Sequence, residues 1–147
     1  MDDEFAFKND QLYFSDIGEN QTIWGPILEK AWAKMKGSYS NADGGFVHSG
    51  IRALVGCPVF GYKNALQTSY TTIWTFLKAA DEINYILGSG TGGTSDQSVN
   101  ECGIATGHAF SIISLFEMNG LQMMMLRNPW GFTKFSGDWS HSYSNWT

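Results

Sequence analysis

His108 and Asn128 are the two residues of this chain whose types and placement could do chemistry together. An imidazole can take and return a proton near neutral pH, and a carboxamide oxygen can hold one ring nitrogen so that the other faces a reacting atom. Between them run Ala109-Phe110-Ser111-Ile112-Ile113-Ser114-Leu115 and Leu121-Gln122-Met123-Met124-Met125-Leu126-Arg127, separated by a turn containing Asn119-Gly120. Two apolar, β-branched-rich runs around residues that tolerate positive φ read as a β-hairpin, and a hairpin returns its two ends to one place. A base and an amide that orients it are two members of a Cys-His-Asn triad, which still needs a thiol nucleophile. Both residues also have plain structural uses: a histidine at a strand end can serve packing alone, and Asn128-Pro129 is an ordinary turn starter.

Whether the pair can meet depends on the parity of the turn, because side chains along a strand alternate between faces. If Asn119-Gly120 is a two-residue loop, Met118 opposes Leu121, and counting on puts Asn128 opposite Ser111, on the face away from His108. A three-residue loop, Met118-Asn119-Gly120, puts Asn128 opposite Phe110 and leaves it a same-face diagonal neighbour of His108. Diagonal neighbours lie about 7–8 Å apart at the backbone, within reach of side chains that extend toward each other. The pairing therefore requires an odd loop with positive φ at Gly120, or one bulge in either arm.

Other residues capable of chemistry are less well placed. His48, Cys57, Cys102, His108 and His141 include the usual zinc ligand types, but no pair has the close spacing of a zinc site. Cys57 precedes a proline and Cys102 follows Glu101, so neither reads as an activated nucleophile. The stretch Gly88-Ser89-Gly90-Thr91-Gly92-Gly93-Thr94-Ser95-Asp96 has the glycine content of a phosphate loop, yet no lysine follows and no helix opens after it. A surface loop is the expectation there.

The elements that must carry the hairpin follow from periodicity. Trp24, Ile27, Leu28, Ala31, Trp32 and Met35 recur at helical spacing, with Thr22 as a cap, Pro26 in the first turn and Gly37 at the end. Their apolar stripe is expected to pack into a core. Leu12-Tyr13-Phe14 reads as a short strand, and turn formers dominate from Gly37 to Gly50. Ile51 to Val55 forms a short helix or strand with Ser49 as a cap. Ile73, Phe76, Leu77 and Ala80 mark a second helix, and Asn84 to Leu87 a strand. At 147 residues with 43% hydrophobic, 15% aromatic and 16% charged residues, one domain spanning 1–147 with its own core is expected. A net charge of −5 with no basic stripe argues against a nucleic-acid partner. The acidic start Met1-Asp2-Asp3-Glu4 is unlike a secretory signal, no run is apolar enough to span a bilayer, and two cysteines in unlike contexts suit a reducing cytoplasm.

Gly107-His108-Ala109-Phe110-Ser111-Ile112, Leu126-Arg127-Asn128-Pro129-Trp130-Gly131 and Gly137-Asp138-Trp139-Ser140 resemble the G-H-A-[YF]-S-V, R-N-P-W-G and G-x-W-S signatures of calpain-type cysteine proteases. Asp2-Asp3, Leu28 to Lys34, Gly37-Ser38-Tyr39 and Gly44-Gly45 are similar to further stations of that family in the same order, so the resemblance covers nearly the whole chain. It implies an α+β fold, an antiparallel sheet or half-barrel with packed helices, forming the second lobe of a papain-like protease. His108 is then the triad histidine and Asn128 the triad asparagine, with Trp130 covering their contact. An indole there would exclude water, although a core tryptophan explains it equally.

The departures shape the functional expectation. The family's nucleophile motif, Q-G-x-L-G-D-C-W-F, does not occur here, and neither does the glutamine that stabilises the oxyanion. The resemblance therefore implies a catalytic half that needs a Cys-bearing lobe as partner, in cis or in trans, and a protein or peptide as substrate. The alternative is a non-catalytic lobe used for binding or scaffolding. The ending at Asn145-Trp146-Thr147, where the family's strands continue, suggests a fragment of a longer product. Calcium is the cofactor the family implies, but the positions aligned with its acidic ligands read Ser49 and Arg52, which leaves a calcium-free loop as the expectation; Asp96 or Glu101 could still offer an oxygen to a cation.

Overall fold

The computed structural model describes residues 4–62, 68–131 and 135–144. Asp2-Asp3 and Asn145-Trp146-Thr147 lie outside them. The chain divides into two compact units, one up to Gly45 and one from Phe46, each treated by itself below.

In the first unit two short strands, β1 (Phe7–Lys8) and β2 (Gln11–Leu12), pair antiparallel across Asn9 and Asp10, both at positive φ. The expected strand Leu12-Tyr13-Phe14 is thus shifted toward the N-terminus, and the Tyr13 N–H extends the pairing by donating to the Ala6 carbonyl at 2.9 Å. Helix α1 (Trp24–Lys36) holds Pro26 in its first turn and stops at Gly37 in the left-handed conformation. Its N-cap is Ile23, not Thr22, and makes no side-chain cap bond. The Thr22 carbonyl is instead drawn into a tight turn by the Gly18 N–H at 3.1 Å. One turn of helix, α2 (Tyr39–Ala42), follows in the segment read as turns, opened by Ser38 Oγ accepting from the Asn41 N–H. Packing here is local. Phe14 stacks flat on Tyr39 at 3.8 Å between ring centroids, Glu29 Oε2 accepts from the Ser15 N–H at 2.7 Å, and Lys30 Nζ donates to the Glu4 carbonyl. The expected tryptophan and methionine stripe is not a core: Trp24 is 67% and Met35 71% exposed, and α1 buries Pro26 and Ala33 instead.

The second unit carries two helices and an antiparallel sheet of three strands in the order β3-β4-β5. Helix α3 (Val47–Val55) begins after Phe46, one turn earlier than the apolar run suggests, so Ser49 lies within its first turn rather than at its cap. Helix α4 (Tyr70–Glu82) coincides with the second helical stripe. Asn84, at φ 58°, and the Tyr85 N–H, bonded back to Ala80, use up the residues that were expected to form a strand. The strand itself, β3 (Leu87–Gly90), runs into the glycine-rich stretch and pairs with Ala109 to Ile112 of β4. No side chain is wanted at Gly88, since Val47 of α3 packs where its Cβ would stand. Strands β4 (Ala109–Met118) and β5 (Leu121–Arg127) form the hairpin. The core of this unit is Ala105, Phe110, Ile112 and Leu115, with Leu115 only 1% exposed. Helices and antiparallel sheets together make the fold α+β. Among the described residues, no helix is long and apolar enough to cross a membrane.

Candidate active site

The hairpin turn is the two-residue one. Met118 pairs with Leu121, and Asn119 and Gly120 take φ of 52° and 78°, the doubly positive pattern that matches the twist of the flanking strands. That register taken alone would put His108 and Asn128 on opposite faces. It does not persist. Ser114 pairs with Met125, but the next pair is Ile112 with Leu126, so Ile113 is an extra residue in β4. This bulge reverses the parity of every residue between it and the open end of the hairpin. It also explains why the buried positions on β4 change from even, Phe110 and Ile112, to odd, Leu115.

What holds β4 beside the bulge comes from another element. Asp81, in the last turn of α4, accepts the Leu115 N–H on Oδ2 at 2.9 Å, with Ser114 Oγ at 3.4 Å. Strand β3 ends its pairing at Ile112, so the Leu115 amide has passed beyond the reach of that neighbour and the carboxylate takes its place.

With the parity corrected, His108 Nε2 lies 2.8 Å from Asn128 Oδ1. The Trp130 N–H points at the same oxygen, 3.1 Å away. The backbone donor identifies that atom as the carbonyl oxygen of the amide, an acceptor to which a proton on Nε2 would be donated. No hydrogen bond to Nδ1 is made among the described residues. The imidazole is packed on two sides, edge-on to Phe110 at 4.9 Å and tilted against Trp130 at 4.2 Å between centroids. The structure thus brings His108, Asn128 and Trp130 together, each half-buried.

The backbone of His108 is fixed by the glycine-rich stretch, which is pinned rather than free. The Thr91 N–H donates to the His108 carbonyl at 2.9 Å, and the Gly107 N–H to the Gly92 carbonyl at 3.0 Å. Gly107, at φ 54°, comes so close to Gly93 that a Cβ there would sit 3.1 Å from the Gly93 carbonyl oxygen. Thr106 Oγ1 donates to the Ser95 carbonyl at 2.8 Å. Sequence reasoning missed both Thr91 and Asp81, since their partners lie 17 and 34 residues away.

The remaining sequence candidates stand apart from this cluster. Cys57 and Cys102 are free and exposed. Among the described residues, no group of three or more His, Cys, Asp or Glu side chains converges. At the positions aligned with a calcium loop, Ser49 and Arg52 lie on α3, where the Arg52 carbonyl already accepts the Gly56 N–H. A hydroxyl and a guanidinium do not fit a hard divalent cation, which takes six to eight oxygen ligands.

An α+β fold with a histidine and an asparagine joined at the mouth of a hairpin agrees with the sequence motifs. The family model described as calpain family cysteine protease matches residues 1–147, and the chain belongs to that family. Its curated relatives include the calpain-type cysteine protease DEK1 of Zea mays, 31% identical over 140 residues that take in 91% of this chain and 6% of the relative. The calpain-2 catalytic subunit of Gallus gallus is 29% identical, covering all of this chain and 22% of its own length. Calpain-14 of Homo sapiens is 30% identical over 92% of this chain and 20% of its own. The chain therefore spans less than a quarter of each of these relatives.

Proposed function

We propose that this chain is the His/Asn-bearing lobe of a calpain-like cysteine endopeptidase, with His108 as its general base and acid and Asn128 as the residue that orients it. The observation that supports the reading is the 2.8 Å contact from His108 Nε2 to Asn128 Oδ1; with the ring proton on Nε2, Nδ1 would be the basic atom. A cysteine thiol from a partner lobe would give its proton to Nδ1, and the thiolate would attack the peptide carbonyl. His108 would return that proton to the departing amine, leaving an acyl thioester, and would then take a proton from the water that hydrolyses it. Trp130 covers one face of the ring and limits water at the Nε2 bond.

The substrate on this reading is a protein or peptide, and the partner is the Cys-bearing lobe, in the same polypeptide or another. The compartment is a reducing one such as the cytoplasm, where exposed Cys57 and Cys102 persist as thiols. No calcium is held at Ser49 and Arg52. Without a nucleophile and an oxyanion donor the isolated chain has no covalent route through the acyl step and is inactive. A second reading, a lobe kept for binding or scaffolding, is favoured by one observation: the family's nucleophile motif is missing from these residues.

The test joins the chain to a Cys-bearing calpain lobe, in cis or by mixing, and measures thiol-dependent cleavage of casein. Activity lost with His108→Ala supports the catalytic reading. A His108→Ala protein as active as its parent rules His108 out. Cleavage by the pure chain alone, blocked by an epoxide thiol-protease inhibitor, would show that the half-site picture is wrong.

A further inference from the structure

We propose that Thr91 is a positioning residue for His108, its hydroxyl acting as a clasp that fixes the backbone from which the imidazole projects; the proposal rests on His108 being the base. Thr91 stands one residue beyond β3, where Gly90 pairs with Ala109, and so faces His108 across the sheet. Its hydroxyl uses both of its capacities. Oγ1 donates to the Ala105 carbonyl at 2.7 Å, with the His108 carbonyl a longer alternative acceptor at 3.2 Å, and accepts the His108 N–H at 3.0 Å. The Thr91 N–H donates to the His108 carbonyl at 2.9 Å, so both backbone polar groups of His108 end on this one residue.

The side-chain bonds do what ordinary strand pairing does not. Ala105 is 3% exposed and lies before the turn at Thr106-Gly107, whereas His108 lies after it. One hydroxyl therefore ties the two ends of that turn together and sets the direction in which β4 begins. Asn128 approaches from the opposite side, just past the end of β5, and bonds the ring of His108 rather than its backbone. The imidazole is thus located by two separate devices, a hydroxyl at its main chain and an amide at its ring. Valine at position 91 keeps the β-branched shape but leaves a buried carbonyl and the His108 amide without partners. Serine keeps the hydroxyl and restores both bonds.

The experiment uses the enzyme carrying both lobes for kinetics and this chain for spectroscopy. Thr91→Val is expected to lower kcat by roughly 10–10²-fold, the scale for a displaced catalytic group, with KM held. Thr91→Ser is expected to recover the parent kcat. In this chain the His108 amide should exchange slowly with solvent in the parent and in Thr91→Ser, and long-range 15N correlation should show a single imidazole tautomer protonated on Nε2. In Thr91→Val the amide should exchange faster and the imidazole signals should broaden or mix tautomers. A Thr91→Val enzyme with parent kcat, or one altered in KM alone, would overturn the proposal if His108→Ala is inactive in the same background. Should the valine variant not fold, the parent decides: a His108 amide exchanging at open-loop rates would overturn the clasp. Full activity of His108→Ala would instead overturn the assignment of the base, and this proposal with it.

Discussion

Deleting one residue from either arm of the β4-β5 hairpin should have opposite consequences for the His108–Asn128 contact, because the contact depends on strand parity. Removing Ile113 deletes the extra residue of the bulge, so Ile112 would follow directly on the pair Ser114–Met125 and still face Leu126. Every pair on both sides is kept, Asn128 stays diagonal to His108, and Phe110, Ile112 and Leu115 keep their inward face. Ile113 is 51% exposed, so about half of the roughly 1.5–3 kcal/mol of a fully buried isoleucine is lost. A regular ladder offsets this with a hydrogen bond worth about 0.5–1.5 kcal/mol. The net change should lie within about 1 kcal/mol of zero by these two terms.

Met125 makes the matched control, since at 52% exposed it forfeits a similar fraction of its surface. Its deletion, however, advances Asn128 by one position on the other strand. With the bulge kept, Asn128 would face Ser111, on the wrong side of the ribbon from His108; with the bulge absorbed, it would face Ile112, roughly 13 Å along the strand at about 3.3 Å per residue. Neither register lets the pair meet. Long-range 15N correlation of the imidazole, with cross-strand nuclear Overhauser contacts for the register, reads out both deletions on this chain without any activity assay. The His108 ring should keep its Nε2 proton and its contact with Trp130 in the Ile113 deletion and lose them in the Met125 deletion. A deletion of Ile113 that separates the pair, or a deletion of Met125 that leaves it joined, would refute the parity argument.

Asp81→Ala should destabilise the chain by about 1–3 kcal/mol in urea unfolding, because it orphans the Leu115 N–H; Asp81→Asn, which keeps an acceptor, should cost less, and equal losses would show that the hydrogen bond is not the cause. Leu115→Ala, at the most buried large side chain, should cost about 2–5 kcal/mol in the same measurement, and a loss under ~1 kcal/mol would mean that the sheet has no core at that point. In the two-lobe enzyme Asn128→Ala should reduce kcat less than His108→Ala, since it misorients the base without removing it; the loss of about 10⁴ that a wrong histidine tautomer causes in serine proteases sets an upper scale. Millimolar calcium should leave the Tm of this chain unshifted, and a rise of several degrees would show that carboxylates assemble around the ion somewhere in it.

How much of the fold and site is legible in the sequence divides along the distance of the interactions involved. The hairpin, the Asn119-Gly120 turn and the need for an odd correction between His108 and Asn128 are written in adjacent residues, because turn chemistry and alternation are local. The location of the correction is not. Ile112-Ile113-Ser114 has nothing in its composition to mark a bulge, and the carboxylate beside it arrives from a helix more than thirty residues earlier. For the same reason β3 departs from its expected place: apolar Tyr85-Ile86 has the composition of a strand, while the strand forms at Leu87–Gly90, in residues whose worth lies in what they allow Val47 and β4 to approach. On α1 the error runs the other way, since periodicity shows which face is apolar but not whether anything covers it, and Trp24 and Met35 remain exposed.

The site itself follows that division. Residue type at His108 and Asn128 is a property of the motif, but the side of the sheet on which each appears is a count of residues, and a count is changed by a single bulge. A histidine–asparagine contact built at the open end of a hairpin is therefore exposed to every insertion or deletion between it and the turn. Here the vulnerable span is bracketed by contacts from outside the hairpin. Asp81 holds Leu115 on the turn side of the bulge, and Thr91 holds His108 on the open side. Between these anchors the backbone has only one extra residue to place. Slippage that lost the bulge from β4 would shift one anchored residue against the other and break at least one of the two hydrogen bonds, and that cost opposes a change of parity within β4.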